Sequence, residues 1–174
     1  MKELLVVVDM QNDFVTGALG TEEAVKIVGN VADKVKEARE AGADVVFTMD
    51  THGRDYLETQ EGRNLPVPHC IKGTEGWKII PELQDETGDS VVLEKPSFGS
   101  AELADLAKER GYAKIRLIGV CTDICVITNA LLLKTALPEA KISVDASCCA
   151  GVTPQSHKNA LEAMNMCQIQ IENN

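Results

Sequence analysis

A carboxylate, an amine and a thiol each follow closely on an apolar run of this chain. Asp9 follows LLVVV, Lys95 follows VVLE, and Cys125 lies in the segment CTDIC behind RLIGV. A thiolate can attack a carbonyl carbon, a carboxylate can carry the thiol's proton to a leaving amine, and an ammonium can stabilise the charge that develops. If the fold brings them together, the three residues predict a cysteine hydrolase that cleaves a small carboxamide.

The placement of Cys125 favours a nucleophile. It falls in the first turn of a predicted helix, where free backbone N–H groups and the positive helix end lower a thiol pKa. Each of the three residues also has an ordinary explanation, because free cysteines are usually small buried hydrophobes, Lys95 could lie on the surface and Asp9 could form a turn. Three further cysteines are interpreted only as buried packing residues: Cys148, Cys149 and Cys167.

A second polar group follows the apolar run VVFTM. Asp50 ends that run, and His52 and His69 lie in the long loop behind it, with Glu58 and Glu61 between them. One carboxylate and two imidazoles form a reasonable open set of ligands for a divalent metal ion. The alternative is a loop held together by hydrogen bonds.

Six short apolar runs alternate with helical segments along the chain. Continuous β-branched runs are typical of strands buried on both faces of a parallel sheet, and no hairpin signal separates these. We therefore predict a single α/β domain over residues 1–174, a three-layer, doubly wound, mainly parallel sheet with helices on both faces. The predicted strands are residues 4–8, 45–49, 91–94, 115–120, 142–144 and 169–171.

The helices have recognisable ends. Thr21, Ser100 and Thr153 are predicted caps, and Gly42 and Gly111 end two of the helices. The helix after Thr21 has a predicted buried stripe of Val25, Val28, Val31, Val35 and Ala38.

The reactive residues share one position relative to the strands. Asp9, Asp50, Lys95 and the segment CTDIC all come where a predicted strand ends. Ligands of open parallel sheets bind beyond the carboxyl ends of the strands. We therefore expect all four to meet at one edge of the sheet.

Composition excludes some partners. The chain has 27 acidic and 17 basic residues, a formal charge of -10, so nucleic acid is a poor candidate partner. No apolar run reaches the length of a membrane span and no signal peptide is recognisable, so we expect a cytoplasmic protein without a membrane partner. The six cysteines are expected to be thiols.

Three motifs in order carry a family resemblance over essentially the whole chain. VVDMQNDF, EKPSFGS and GVCTDICV resemble motifs of the isochorismatase-like cysteine hydrolases, in particular the nicotinamidase/pyrazinamidase branch. The resemblance implies Asp9, Lys95 and Cys125 as the catalytic residues. It also implies a cis peptide between Val120 and Cys121, with the N–H groups of Cys121 and Cys125 as the oxyanion hole and Thr122 holding the turn.

The segment DTH followed by PVPHC is similar to the metal motif of the nicotinamidase branch. It implies Asp50, His52 and His69 as ligands of a divalent metal, zinc first, with manganese and iron as alternatives, and a metal that binds the pyridine nitrogen of the substrate. For the fourth ligand we favour Glu61, with Glu58 as second choice and water as a further alternative.

One aromatic position departs from the family pattern. Many nicotinamidases have a Trp three residues before the last metal histidine, where this chain has Pro66. Phe14 matches the other stacking aromatic, so we expect Phe14 to hold a substrate ring, helped by Phe98 or Tyr56. Trp77 is interpreted as a packing residue and His157 as a surface residue.

The resemblance implies hydrolysis of nicotinamide to nicotinate and ammonia through a thioester, and a homo-oligomer. The missing Trp keeps open an amidase that acts on a carbamoyl or ureido compound. A non-catalytic protein that senses oxidation through Cys121 and Cys125 is the alternative from another class. Hydrolysis of the vinyl ether of isochorismate is disfavoured, because that branch lacks the cysteine.

Overall fold

The computed structural model describes residues 2–174, which form one six-stranded sheet in the order β3-β2-β1-β4-β5-β6. All five strand pairs are parallel, so the predicted α/β class and doubly wound sheet are confirmed. The strands are β1 (Glu3–Val8), β2 (Asp44–Asp50), β3 (Val91–Lys95), β4 (Lys114–Val120), β5 (Lys141–Ala150) and β6 (Gln170–Glu172). β5 is longer than predicted and carries a register shift against β4.

Within residues 2–174, seven α-helices connect and flank the strands. They are α1 (Asn12–Val15), α2 (Glu22–Glu40), α3 (Gln60–Asn64), α4 (Pro81–Gln84), α5 (Ala101–Arg110), α6 (Ile127–Ala136) and α7 (Pro154–Met166), and a π-helical turn, Thr122–Val126, leads into α6. The caps are confirmed, because the side chains of Thr21, Ser100 and Thr153 each accept a backbone N–H of the first helical turn. Across residues 2–174, every helix is too short or too polar to cross a bilayer.

The alternation of β1 side chains places one core on each face of the sheet. Leu4, Val6 and Val8 pack with residues of α5, α6 and α7, whereas Leu5 and Val7 pack with residues of α2. Both faces of β1 are therefore buried, which is why its sequence is apolar without alternation.

Two predictions of burial are wrong. Val25 is half exposed and Val28 is only partly buried, and α2 buries Ala24 and Ile27 instead, followed by Val31, Val35 and Ala38 as predicted. Spacings of three and four residues keep these five on one side of the helix, and Val25 is rotated away from it. Cys167 is exposed at the end of α7, although all six cysteines are free thiols as predicted.

The strand order reverses between β1 and β4, the point where open α/β sheets form their ligand crevice. The two strands are closely apposed at their carboxyl ends, where Val8 pairs with Gly119. Gly119 has φ 113, and a Cβ there would overlap the carbonyl oxygen of Val8. Only glycine satisfies both the backbone conformation and the spacing.

Gly119→Ala should therefore lower the free energy of unfolding by about 3 kcal/mol, measured by urea denaturation. Gly29→Ala is the matched control, since Gly29 lies on the exposed side of α2 with open space at its Cβ. That control should gain about 0.5–1 kcal/mol from helix propensity. Equal stability of the two variants would contradict the close-approach argument.

Candidate active site

Lys95 brings the three predicted catalytic residues together. Its Nζ lies 2.6 Å from Asp9 Oδ2 and 3.4 Å from Cys125 Sγ. All three side chains are buried. An ammonium, a carboxylate and a thiol in contact, shielded from water, can exchange a proton and stabilise a developing anion.

The ionisation of Asp9 and Lys95 reflects this burial. Burial raises the pKa of Asp9 above its ordinary value, and the opposing charge of Lys95 does not fully offset the effect. Burial alone would lower the pKa of Lys95, but the negative charges of Asp9, Cys125 and Asp50 together outweigh it and raise that pKa. Lys95 therefore stays protonated, and Asp9 is a stronger base than an exposed aspartate.

The expectation that the helix start lowers the thiol pKa of Cys125 is wrong. Burial raises this pKa well above its ordinary value, and the charge of Asp9 adds to the increase while Lys95 opposes it. Desolvation of the thiolate exceeds the stabilisation that the Lys95 ammonium supplies. The resting thiol keeps its proton, so a base must remove it.

Asp9 is held by the neighbouring strand. Its backbone has φ 48, a left-handed conformation that aspartate tolerates better than most residues. Its N–H donates to the carbonyl of Thr48 at 3.2 Å, and the Thr48 hydroxyl donates to Asp9 Oδ1 at 2.7 Å. With Oδ1 bound in this way, Oδ2 is the oxygen that meets Lys95.

The turn that carries Cys125, the predicted nucleophile, has its own anchors, and we call its residues 121–126 the nucleophile turn. The Val120–Cys121 peptide is cis, as the resemblance implied. The Cys121 carbonyl accepts N–H groups from Ile124 at 3.1 Å and Val126 at 3.0 Å. These bonds fold the chain back on itself, and Cys125 lies within the loop that they close.

Asn129 is a site residue that the sequence analysis missed. Its Nδ2 donates to the carbonyls of Cys125 at 2.8 Å and Phe98 at 3.2 Å, and its Oδ1 accepts the Ser100 N–H at 2.9 Å. This fully buried amide thus joins the nucleophile turn to the loop behind Lys95. The signal in the sequence was a polar residue four positions after Cys125, directly before the apolar run ALLL.

The second polar group also assembles. Asp50 Oδ2 lies 3.0 Å from His52 Nε2 and 3.4 Å from His69 Nε2, and Glu61 Oε1 lies 3.6 Å from the first and 3.8 Å from the second of these nitrogens. One ligand atom from each of the four residues falls within 4.8 Å of the others. Glu58, the second choice for this set, is exposed.

These four residues fit a divalent metal ion. Ligands at zinc distances in a tetrahedral site lie about 3.3 Å from one another, close to the spacing found here. His69 Nδ1 contacts the Val67 carbonyl at 2.8 Å, which leaves Nε2 directed at the cluster. Burial would raise the pKa of Asp50, but hydrogen bonds with His52 and His69 and the charge of Lys95 together outweigh it and lower that pKa, so Asp50 is ionised.

A single contact joins the two polar groups. Asp50 Oδ1 lies 3.6 Å from Lys95 Nζ, and the two residues are paired in the register of β2 and β3. The same aspartate therefore faces the metal-binding set with one oxygen and the ammonium with the other.

Gln11 is a second residue that the sequence analysis missed. Its Nε2 donates to the carbonyls of Asp50 at 2.8 Å and Trp77 at 2.7 Å, and its Oε1 accepts the Asp50 N–H at 2.7 Å. This buried amide fixes the backbone of Asp50 from the segment behind β1. Its place two residues after Asp9, in the motif VVDMQNDF, was the available signal.

The predicted aromatic residues differ in their surroundings. Phe14 is buried with its ring centroid 5.5 Å from that of His69, and Tyr56 packs edge-on against both histidines at 4.8 and 5.0 Å. Phe98 is 42% exposed. Trp77 packs against the core as predicted, and its Nε1 donates to the Thr51 hydroxyl at 2.9 Å.

The interpretation of His157 as a surface residue is wrong. It is only partly exposed, and its Nδ1 lies 2.7 Å from the hydroxyl oxygen of Thr122 in the nucleophile turn. The first turn of α7 packs against that turn, which no local pattern in the sequence indicates.

Replacing Gln11 by Ala leaves the two polar backbone groups of Asp50 without their side-chain partner. We expect the free energy of unfolding to fall by about 2–4 kcal/mol and zinc affinity to fall about tenfold. Urea denaturation and competition with a chromophoric chelator measure the two effects. In the control Gln155→Ala, which changes an exposed amide whose one hydrogen bond among residues 2–174 is to Asn159, neither quantity should change. An equal loss there would contradict the assignment.

Comparison with known proteins places this geometry in a family. The Isochorismatase domain family matches residues 3–173. The nicotinamidase/pyrazinamidase of Mycobacterium tuberculosis is 27% identical over 183 aligned positions, 96% of each chain. The crystal structure of the pyrazinamidase of Pyrococcus horikoshii in complex with zinc superimposes with a TM-score of 0.86 at 30% identity, over 98% of each chain.

A neighbour with a different named substrate is also similar. The N-carbamoylsarcosine amidase of Thermoplasma acidophilum superimposes with a TM-score of 0.81 at 29% identity, over 99% of this chain and 96% of that one. The family match over nearly the whole chain, together with these structures, shows that the protein belongs to the isochorismatase family.

Proposed function

We propose that this protein is an amidohydrolase that cleaves nicotinamide or a closely related carboxamide, with Cys125 as the nucleophile. The observation that carries the proposal is the contact of Lys95 Nζ with Asp9 at 2.6 Å and with Cys125 Sγ at 3.4 Å. Relatives named as nicotinamidases and pyrazinamidases support the class of substrate.

The reaction begins with a proton transfer. Asp9 accepts the proton of the Cys125 thiol, and the thiolate attacks the carbonyl carbon of the amide. The carbonyl oxygen becomes an oxyanion, for which the N–H groups of Cys121 and Cys125 are the proposed donors. The ammonium of Lys95 stabilises the negative charge as it moves from Asp9 to the Cys125 sulfur.

Collapse of the tetrahedral species breaks the C–N bond. Asp9 returns its proton to the leaving nitrogen, ammonia departs and Cys125 is left as a thioester. Asp9 then removes a proton from water, and the resulting hydroxide attacks the thioester. The Cys125 thiolate leaves and takes the proton back from Asp9. The raised pKa of Asp9 suits both of its roles, as the base that accepts a proton and as the acid that returns it.

The group of Asp50, His52, His69 and Glu61 is proposed to hold a divalent metal, with zinc the first choice since a similar structure contains it. When bound, such an ion would offer a Lewis-acid position for a ring nitrogen and so orient the amide toward Cys125. Phe14, beside His69, and the more exposed Phe98 are the proposed contacts for the substrate ring.

A second candidate is hydrolysis of a carbamoyl or ureido compound. Pro66 is exposed at the position where the stacking Trp of many nicotinamidases is expected, which removes one aromatic wall for a pyridine ring. The likeness to an N-carbamoylsarcosine amidase also favours this alternative. The two candidates use the same catalytic residues and differ only in what fills the space beside Phe14.

Cys125→Ala should lower the rate of ammonia release from nicotinamide by about 10³-fold or more, because no other group replaces the thiolate. The assay uses zinc-loaded protein, with N-carbamoyl amino acids as parallel substrates. Cys167→Ala, which changes an exposed thiol, is the control and should keep the wild-type rate.

Full activity of Cys125→Ala on any amide would overturn the proposed nucleophile. Release from the carbamoyl compounds alone would move the assignment to the second candidate. Oxidation of Cys125 by peroxide in a protein that hydrolyses no amide would favour the thiol-sensing alternative.

The fourth ligand can be tested with a matched pair of glutamates. Glu61→Gln should weaken zinc affinity about tenfold or more, measured by isothermal titration. Glu58→Gln should leave the affinity unchanged, since Glu58 is exposed outside the group. Equal affinities of the two variants would exclude Glu61 as a ligand.

A further inference from the structure

We propose that His157 is a positioning residue for the nucleophile turn and that it acts through the hydroxyl of Thr122. The inference rests on the proposed function, since it gives His157 a part in hydrolysis by Cys125. It adds a residue from α7 to a site whose proposed catalytic residues lie at or just behind the ends of β1, β3 and β4.

The contact lies next to the backbone that the reaction needs. Thr122 follows Cys121, a proposed oxyanion donor, and its side chain is fully buried. Its Oγ1 lies 2.7 Å from His157 Nδ1, and this is the one side-chain hydrogen bond of Thr122 found among residues 2–174. A shift of this hydroxyl would therefore move the start of the turn directly.

A second contact holds the same turn to the segment that joins β5 to α7. The carboxylate of Asp123 accepts the Val152 N–H, at 3.2 Å from each oxygen. The turn is thus held at two successive residues, Thr122 by α7 and Asp123 by the segment that joins β5 to α7. Because Cys125 lies three residues after Thr122, these anchors bear on both proposed oxyanion donors.

The sequence around α7 places His157 close to the turn. Thr153 caps the helix in a capping box with Ser156, and its carbonyl accepts the His157 N–H at 3.0 Å. A Cβ at Gly151 would meet the backbone and Cβ of His157 at 2.9–3.0 Å, so a larger residue there would push the helix start outward. The close approach therefore depends on glycine at this position.

The chemistry of the contact depends on the charge of His157. A neutral imidazole can accept the Thr122 hydroxyl proton at Nδ1, whereas an imidazolium can only donate there. Protonation would thus reverse the bond and leave the buried hydroxyl proton without its acceptor. Burial lowers the pKa of His157, which favours the neutral, accepting form at neutral pH.

The charges around His157 come from three elements. Asp123 in the nucleophile turn opposes the shift of the His157 pKa, and Lys158 on α7 reinforces it. Glu23 and Lys26 on α2 line the groove of about 230 Å³ that His157 also lines. Glu23 is negative and Lys26 is positive, so α2 contributes one charge of each sign.

The test compares substitutions at His157 and Thr122 by steady-state kinetics on the amide that the wild type hydrolyses. His157→Ala and Thr122→Val should each lower kcat about tenfold with little change in KM, since the turn and not the substrate contacts is disturbed. The kcat of the double variant should fall no further than that of either single variant, because both substitutions remove the same hydrogen bond.

His157→Asn separates positioning from packing. An asparagine amide can take the place of Nδ1 beside Thr122 but does not titrate, so it should recover most of the kcat lost in His157→Ala. Below about pH 6.5, kcat of the wild type should fall more steeply than that of His157→Asn. Asn159→Ala, on the exposed side of α7, is the control for a general effect on the helix.

Additive losses in the double variant, a kcat of His157→Asn as low as that of His157→Ala, or identical pH profiles would overturn the inference. If the wild type hydrolyses no amide, the proposed function fails, and the rate of Cys125 alkylation by iodoacetamide decides the inference separately. A rate at least about threefold lower in His157→Ala and Thr122→Val, restored in His157→Asn, would support it. An unchanged or faster rate would overturn it.

Discussion

The buried ammonium of Lys95 is the constraint on which the rest of the site depends. It is 1% exposed and lies between Asp9 at 2.6 Å, Cys125 at 3.4 Å and Asp50 at 3.6 Å. Removing a charge from water costs several kcal/mol unless close partners compensate it. The ends of β1, β2 and β3 and the nucleophile turn must therefore be held at set distances, which the parallel register provides by pairing Asp50 with Lys95.

Burial also decides how the proposed nucleophile is made. Burial raises both the pKa of the Cys125 thiol and the pKa of Asp9 beside it. This arrangement favours a thiol that keeps its proton until substrate arrives. The proposed thiolate then forms within reach of Lys95, in a place where water does not weaken the attraction between the two charges.

Buried amides and hydroxyls connect the loops behind different strands. Gln11 fixes Asp50 from the segment behind β1, Asn129 joins the nucleophile turn to the loop behind β3, and Thr48 orients Asp9 from β2. Each forms hydrogen bonds with groups that would otherwise be buried without partners. The site is thus cross-linked at its edge as well as supported by the sheet beneath it.

The sequence by itself determined the α/β class, the six strands, the helix caps and the meeting of Asp9, Asp50, Lys95 and Cys125 at one edge. These follow from periodicity and strand ends, which are local properties of the chain. The exposure of Val25, the raised thiol pKa of Cys125 and the parts of Gln11, Asn129 and His157 were decided by the tertiary structure. Each depends on which distant segment packs against the residue and how much water that packing removes, and no local pattern contains that information.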